Sequence, residues 1–191
     1  MSLFDIILGL KGHLNLNFGS NYIKCKISRS DYEPSWYDDP RIEGVLNHET
    51  RKYLSKDIKR YIFSSLYAKK YDRSPKISDF PKNLYPKHKN VMREDNKKII
   101  FNDRFRVQLK NKPATTITSH ISKDGHYYIH YDTSQARSLS VREAARIQTF
   151  PDNYFFEGNK TQQYIQVGNA VPPLIAKKIA SIIYQDIFNK I

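Results

Sequence analysis

Apolar residues recur at three- and four-residue intervals after Asn47, and lysine or arginine fills most of the positions between them. This spacing gathers the apolar side chains on one face of a helix. Asn47 is a favoured N-cap residue, and Glu49 would lie in the first turn, where an acidic side chain is favourable. The pattern predicts an amphipathic helix of about five turns. Its apolar face consists of Leu54, Ile58, Tyr61, Ile62 and Leu66.

Two more helices are predicted near the end of the chain. Ser140 and Glu143 have the spacing of a capping box, in which each side chain accepts a hydrogen bond from the other residue's backbone, and Pro151 limits the helix that follows. Pro172-Pro173 begins the last helix, because proline is favoured in a first turn. The apolar stripe of this helix needs a covering surface. It consists of Leu174, Ile175, Ile179, Ile182, Ile183 and Ile187.

Residues 114–131 have the pattern of a β-hairpin. Residues 115–122 are rich in β-branched side chains, Asp124-Gly125 is a favoured turn pair, and residues 126–131 alternate in character. One face of the first predicted strand carries Thr116, Thr118 and His120.

Two stretches lack a regular period. Residues 1–46 contain short apolar runs interrupted by Pro34 and Pro40, and we interpret them as an irregular lead-in. Residues 74–98 combine prolines with a lysine-rich run, which favours a loop-dominated segment. With the predicted helices and hairpin, these stretches indicate an α+β chain. We divide it into residues 1–46, 47–137 and 138–191.

The 191-residue chain carries a formal net charge of +13, and its basic excess is regional. Residues 51–112 hold 19 Lys or Arg against 6 Asp or Glu, whereas residues 138–191 hold 6 against 4. Tyrosines and phenylalanines interleave the basic residues of the first segment. A basic, aromatic-rich segment suits a polyanionic partner, and nucleic acid is the first candidate.

Cys25 is the single cysteine, which excludes an internal disulfide and favours a reducing, cytoplasmic location. The apolar run at residues 3–10 is too short to span a bilayer, so we expect no membrane partner. His120, His126 and His130 lie close in sequence, but no cysteine or carboxylate trio completes a ligand set. We therefore predict no metal site.

Two motifs near the end of the chain stand in a recognisable order. The first, SVREAARIQTFPD, covers residues 140–152, and the second, YIQVGNAVPP, covers residues 164–173. They resemble the last two signature motifs of DNA (cytosine-5)-methyltransferases, in order, gap and the helix that follows. Upstream, residues 104–108 and 113–130 are similar to the end of the target-recognition region in bacterial members of that family.

The resemblance implies a fold with two lobes. In this family a large α/β lobe binds S-adenosylmethionine and transfers its methyl group to C5 of a cytosine flipped out of duplex DNA. A small target-recognition lobe reads the DNA, and the final helix returns from it to pack on the large lobe. We therefore expect a small recognition lobe with a hairpin or sheet and loops, and a C-terminal helix that packs on a catalytic lobe absent from this sequence.

The resemblance also implies roles for individual residues. Beside the cofactor it places Asn169, Ala170 and Val171. A bracing role in the recognition lobe falls to Arg142, Glu143 and Arg146. Two local interpretations stay open, since Glu143 has a sufficient reason as a capping residue and Gly168 can simply turn the chain into the last helix.

DNA contacts are expected near the hairpin. Thr116 and Ile117 fall where the family has a threonine followed by a branched apolar residue, and two ordinary β-branched strand residues are the open alternative. Side chains suited to base reading are Arg104, Arg106, Ser119, His120, Lys123 and His126. The lysines and arginines of residues 51–112 would contact phosphates.

The catalytic motifs of the family are absent from the sequence. Its nucleophile lies in a Pro-Cys-Gln motif, whereas Cys25 stands between two lysines. Its Glu-Asn-Val motif has no counterpart, because Lys89-Asn90-Val91 lacks the carboxylate. We predict no catalytic residue in this chain and no methyl transfer by the chain alone.

The chain is interpreted as the C-terminal, DNA-recognising part of a cytosine-5 methyltransferase. It would be either a piece of a longer polypeptide or the smaller subunit of a split enzyme. Its partners would be double-stranded DNA and the N-terminal catalytic half, and alone it would self-associate through its uncovered C-terminal helix. The alternative is a stand-alone, sequence-specific DNA-binding protein without catalytic activity.

Overall fold

The structure is a computed structural model that describes residues 19–26, 31–86 and 101–187. These residues form two compact units, each assembled from stretches that are distant in sequence. Within the described ranges, the first unit contains residues 51–86, 101–115 and 124–139. The second unit contains residues 19–26, 31–50, 116–123 and 140–187. The three-part division made from the sequence stays a prediction.

The secondary structure is mixed α and β, as predicted. In chain order the strands and helices are β1 (Gly19–Lys24), α1 (Pro34–Tyr37), β2 (Gly44–Glu49), α2 (Ser55–Tyr71), α3 (Val141–Ile147), α4 (Lys160–Asn169) and α5 (Pro173–Ile187). Short 3-10 helices lie at Ile77–Asp79, Lys82–Leu84 and Ser119–Ser122. Within the described ranges, no helix is long and apolar enough to cross a membrane.

The predicted amphipathic helix exists as α2, but it begins at Ser55. Leu54 is its N-cap and is 75% exposed, so the prediction that Asn47 caps this helix is wrong. Asn47 lies in β2 with a left-handed φ of 51°, a conformation that Asn tolerates better than most residues. Local spacing could not place the helix start, because the residues of β2 pair with the distant β1.

α2 supplies one wall of the core of the first unit. Its buried residues pack with the two 3-10 helices that follow and with later stretches of the unit. The Arg60 guanidinium links α2 to the end of the 3-10 helix Lys82–Leu84. It donates to the carbonyl oxygens of Leu84 at 2.8 Å and Tyr85 at 3.0 Å. The core consists of Tyr61, Phe63, Tyr67, Ala68, Ile77, Phe80, Leu84, Phe105, Val107 and Ile129. The loop predicted at residues 74–98 is loop-dominated over residues 74–86, and its remainder lies outside the described residues.

The hairpin predicted at residues 114–131 is wrong. Its first half contains the 3-10 helix Ser119–Ser122, and Ile129 forms isolated bridges with Val107 and Ser138 instead. β-propensity depends on the neighbours that a strand can pair with and pack against. Here the pairing partners of Ile129 come from elsewhere in the first unit, which the local pattern could not reveal.

The second unit contains the two-stranded sheet. β1 and β2 are antiparallel, with Tyr22 opposite Leu46 and Ile23 opposite Val45. The sequence pattern predicts neither strand, because each has only six residues and no strict alternation of apolar and polar positions.

Three helices complete the second unit. α3 begins with the predicted capping box, in which Ser140 N donates to Glu143 Oε2 at 2.7 Å and Glu143 N donates to Ser140 Oγ at 3.2 Å. α4, which the sequence pattern does not predict, begins with a second capping box from Asn159 and Gln162. α5 begins at Pro173 as predicted, and Leu174 is buried. The exposed part of its apolar stripe consists of Ile175, Ile179, Ile182, Ile183 and Ile187.

Candidate functional site

Arg142 is the central polar residue of the second unit. Its side chain is almost fully buried at 2% exposure. The guanidinium donates to the carbonyl oxygens of Leu46 at 2.9 Å, Pro151 at 3.0 Å and Tyr154. Burial lowers the pKa of Arg142 to about 10, which still leaves the group charged at neutral pH. Arg142 therefore ties β2 and the segment after α3 to α3 itself.

Arg146, one turn further along α3, makes a two-pronged ion pair. Its Nε donates to Asp152 Oδ1 at 2.8 Å, and a second guanidinium nitrogen contacts the other carboxylate oxygen. An oxygen of a second carboxylate, Asp38 Oδ1, lies 3.9 Å from Arg146 Nη2. The hydrogen bonds that Arg146 donates to Asp152 raise the pKa of Arg146. This bidentate geometry fixes both partners. The hydrogen bonds described above for Glu143 are those of a capping residue.

Gln148 is a site residue that the sequence analysis missed. Its side chain is 6% exposed, and its Nε2 donates to the carbonyl oxygens of Val167 at 3.2 Å and Ala170 at 3.3 Å. These carbonyls lie at the C-terminal end of α4, where helical partners run out. The neighbouring Thr149 accepts a hydrogen bond from Leu174 N at 3.1 Å through its Oγ1. The end of the first motif thus holds the second motif in place.

The two hydrogen bonds from Gln148 to Val167 O and Ala170 O form a clamp on the end of α4. The predicted cofactor residues lie at this end of the helix and directly after it. Asn169 is the exposed last residue of α4, Ala170 is its C-cap, and Val171 is 67% exposed. Gln148 holds the backbone here through two hydrogen bonds, and the side chains of Asn169 and Val171 are exposed. An exposed amide and an exposed apolar group on a held backbone can contact a small ligand with polar and apolar parts, and the cofactor role of these residues stays a prediction.

Gly168 does not turn the chain, so the local interpretation of this glycine is wrong. It lies within α4 and packs against the 3-10 helix Ser119–Ser122. A Cβ on Gly168 would lie 2.3 Å from Ser119 N and 2.4 Å from the carbonyl carbon of Thr118. The glycine is required here for a close approach of two backbones.

The DNA-contact candidates divide between the units. Five of them belong to the second unit, namely Thr116, Ile117, Ser119, His120 and Lys123. Ile117 is 1% exposed, whereas Thr116, His120 and Lys123 are exposed. The side chain of Ile117 fills the core of the second unit, and its expected place beside the DNA stays a prediction.

Arg104, Arg106 and His126 belong to the first unit. Arg104 pairs with Asp124 at 2.9 Å, and Arg106 pairs with Asp103 while its guanidinium lies 5.1 Å from the Tyr127 ring centroid. Both arginines are half-buried. His126 is buried, with its Nδ1 2.8 Å from Tyr61 Oη, and burial lowers its pKa. Base reading by His126 stays a prediction, and it would require this buried ring to be uncovered.

The surface of the first unit is strongly basic. Its exposed lysines within the described residues are Lys52, Lys56, Lys59, Lys69, Lys70, Lys76, Lys82, Lys110 and Lys112. Across the described ranges, no three His, Cys, Asp or Glu side chains gather in a way that could hold a metal ion. The single cysteine, Cys25, is exposed.

The chain belongs to the C-5 cytosine-specific DNA methylases, since the model of that family matches residues 6–185. Among its relatives, Type II methyltransferase M.Bpa9945I of Bacillus paralicheniformis is 46% identical over 146 residues, which are 76% of this chain and 31% of the relative. Type II methyltransferase M1.HphI of Haemophilus parahaemolyticus is 34% identical over 139 residues, 73% of this chain and 31% of that protein.

A third relative, the DNA (cytosine-5-)-methyltransferase M.ApeKI of Aeropyrum pernix, is 48% identical over 69 residues, 36% of this chain and 14% of its own length. The resemblance of the two C-terminal motifs to this family is thereby confirmed. The chain spans less than a third of the length of these relatives.

Proposed function

We propose that this chain is the C-terminal, DNA-recognising part of a DNA (cytosine-5)-methyltransferase. The complete enzyme would transfer a methyl group to C5 of a flipped cytosine in duplex DNA, as part of a restriction-modification system. The observation that carries the proposal is the clamp from Gln148 to Val167 and Ala170. It joins the two family motifs in a single compact unit and leaves Asn169 and Val171 accessible.

The first unit would supply most of the DNA affinity. Its exposed lysines can neutralise phosphates, a contribution that is blind to sequence and sensitive to salt. Sequence would be read by half-buried or exposed side chains with hydrogen-bonding capacity. Ile117 and His126 are buried and are left out of this set. The remaining candidates are Arg104, Arg106, Thr116, Ser119, His120 and Lys123.

S-adenosylmethionine would supply the methyl group. Asn169, Ala170 and Val171 would form one wall of its site, with Gln148 fixing their backbone from behind. The attack on C6 of the cytosine needs a thiolate, and no Pro-Cys-Gln sequence occurs in this chain. The nucleophile would therefore belong to the N-terminal catalytic half.

The exposed stripe of α5 would be the contact with that catalytic half. Its isoleucines are about half exposed, from 49% for Ile175 to 59% for Ile182. An apolar surface of this kind is usually covered in a functional assembly. Without the catalytic half, the same surface would drive self-association.

Methyl transfer with recombinant halves tests the proposal. The chain is mixed with the N-terminal part of the Bacillus paralicheniformis relative, up to the region that matches here, and a labelled methyl group is followed from S-adenosylmethionine into mixed-sequence DNA. We expect activity only when both parts are present, and loss of activity when Ile179 and Ile183 are changed to lysine. DNA binding without any methyl transfer would favour the stand-alone DNA-binding protein, and transfer by the chain alone would contradict the assignment of the nucleophile.

A further inference from the structure

Gly168, on α4, lies very close to the backbone of the segment 116–123. A Cβ built on Gly168 meets three backbone atoms, Ser119 N at 2.3 Å, Thr118 C at 2.4 Å and Ser119 Cα at 2.6 Å. All three distances are far inside van der Waals contact. None of these atoms belongs to a flexible side chain that could rotate away, so one of the two backbones would have to move.

The segment that would move is short and firmly seated. Ile117 and Ile121 are buried at 1% and 0% exposure. Backbone hydrogen bonds join Ile121 N to Thr118 O at 3.0 Å and Lys123 N to His120 O at 3.0 Å. Because these contacts make the segment one rigid piece, displacement at Ser119 would carry the exposed side chains of that piece with it.

The residues that follow Gly168, at the end of α4 and directly after it, are those of the candidate cofactor wall, Asn169, Ala170 and Val171. Gly168 immediately precedes Asn169, and Gln148 holds the carbonyl oxygens on either side of these two residues. α4 is therefore fixed by its own clamp, and the clash would be relieved mainly by movement of residues 116–123. That segment carries exposed candidates for DNA contact, including Thr116 and His120.

We propose that Gly168 is a positioning residue for DNA binding: its missing side chain sets how closely the segment 116–123 seats on α4. The inference rests on the proposed function, because it takes residues 116–123 to face DNA. On helix propensity alone, Gly168→Ala would stabilise α4. A loss of DNA affinity on this substitution would thus run against the local preference of the helix.

The test compares Gly168→Ala with Gly158→Ala in the 191-residue chain. Gly158 is in the same unit, before α4; it has a φ of 90° and a Cβ would lie 2.6 Å from Gln162 Oε1, so its substitution is also strained but leaves residues 116–123 untouched. The dissociation constant for a mixed-sequence duplex is measured by fluorescence anisotropy, with the binding-competent fraction fixed by stoichiometric titration. Partial unfolding lowers that fraction but leaves the dissociation constant unchanged.

We expect Gly168→Ala to weaken DNA binding at least about tenfold, as misplacement of a contact by about 1 Å does in other sites, and Gly158→Ala to leave the dissociation constant unchanged. Equal constants for Gly168→Ala and the unaltered chain would overturn the inference, and so would equal weakening by both substitutions. If the unaltered chain binds no duplex DNA, the proposed function itself fails.

A second variant covers the case in which Gly168→Ala does not fold. Ile121→Ala removes the buried anchor of the same 3-10 helix without changing any residue of α4. We expect it to weaken DNA binding in the same direction. Unchanged binding by a folded Ile121→Ala chain would show that the seating of this segment does not control DNA affinity, and would overturn the inference.

Discussion

Gln148 and Ala170 are 22 positions apart in sequence, yet the side-chain amide of Gln148 donates to the carbonyl oxygen of Ala170 at 3.3 Å. The same amide reaches the carbonyl oxygen of Val167 at 3.2 Å. Both carbonyls lie at the end of α4, immediately around the accessible residues of the candidate cofactor wall. The position of that wall therefore depends on a buried side chain from another motif.

Replacing Gln148 with leucine should damage both stability and cofactor binding. The carbonyl oxygens of Val167 and Ala170 each lose the Gln148 donor, while Val167 O keeps a hydrogen bond from Ala170 N at 3.4 Å. A buried polar group that is left unsatisfied costs about 1–3 kcal/mol. Fluorescence of Trp36 during urea unfolding measures the stability of the second unit, since Trp36 is the single tryptophan and donates to Thr149 O there.

In the reconstituted enzyme, Gln148→Leu should also raise the KM for S-adenosylmethionine more than the KM for DNA. Gln166→Leu is the matched control, because this exposed glutamine lies on α4, the helix whose end Gln148 holds, and donates only to Glu157 O among its described hydrogen bonds. Equal effects of the two substitutions on cofactor KM would contradict the positioning role of Gln148.

Arg142→Leu should unfold the second unit more readily than any surface arginine substitution. Three carbonyl oxygens in part-buried hydrogen bonds lose a charged donor, at a cost of about 3 kcal/mol. Arg41, whose side chain is 83% exposed in its pair with Asp39, is the control, and Arg41→Leu should change stability far less. The Trp36 unfolding midpoint compares the two, and similar shifts would speak against the bracing role of Arg142.

The stability of the first unit should fall as the solution becomes acidic. Burial lowers the pKa of His126 in the folded chain, with Asp124 and Asp57 opposing the shift and Arg104 and Arg60 adding to it. The unfolded chain therefore binds a proton more readily. The stabilisation is present above the ordinary histidine pKa of about 6.5 and is lost as the pH falls through the lower, folded value.

The loss of the chain's helical circular dichroism signal is followed during urea unfolding, between about pH 7.5 and pH 5. The change of the unfolding midpoint with pH measures this effect. His126→Asn should flatten the pH profile in that interval, whereas His120→Asn, at an exposed position, should retain it. An unchanged profile for His126→Asn would assign the pH dependence to another group.

Removal of two lysines from the end of α2 should reduce the salt dependence of DNA binding. Lys69→Gln combined with Lys70→Gln takes away two exposed charges. The slope of the logarithm of the binding constant against that of the salt concentration should fall by about 2. The matched control, Lys177→Gln with Lys178→Gln on α5, should leave the slope unchanged.

Arg106→Gln should act differently from the lysine pair. A forked guanidinium near the DNA discriminates bases, so its loss should relax specificity at one base pair, as read from the sequences methylated by the reconstituted enzyme. Uniform weakening on all sequences by both the lysine and the arginine substitutions would remove the distinction between phosphate and base contacts.

Self-association should depend on the stripe of α5. Ile179→Lys with Ile183→Lys places two charges on this face, where the isoleucines are 51% and 49% exposed. Analytical ultracentrifugation should detect oligomers of the unaltered chain and monomers of the variant. A monomeric unaltered chain would contradict the expectation that the uncovered stripe drives association.

The elements predicted correctly are those whose signals are local. The capping box of Ser140 and Glu143 and the proline start of α5 each depend on residues within one turn of a helix, and both are present. α2 was found from its periodicity, but its start was misplaced because Leu54 is exposed and Asn47 belongs to a strand. The hairpin failed for the same reason, since Ile129 pairs with residues outside the local pattern.

Residue identities and short spacings were enough to indicate the family, the basic character of residues 51–112, the cap of Ser140, the start of the last helix, and the absence of the catalytic motifs. The packing of the folded chain was needed to show that Gln148 donates to Ala170 O, that Gly168 packs against residues 118–119, and that Ile117 and His126 are buried. Such contacts join residues far apart in the chain, and their existence depends on how whole elements pack rather than on the preferences of any one stretch.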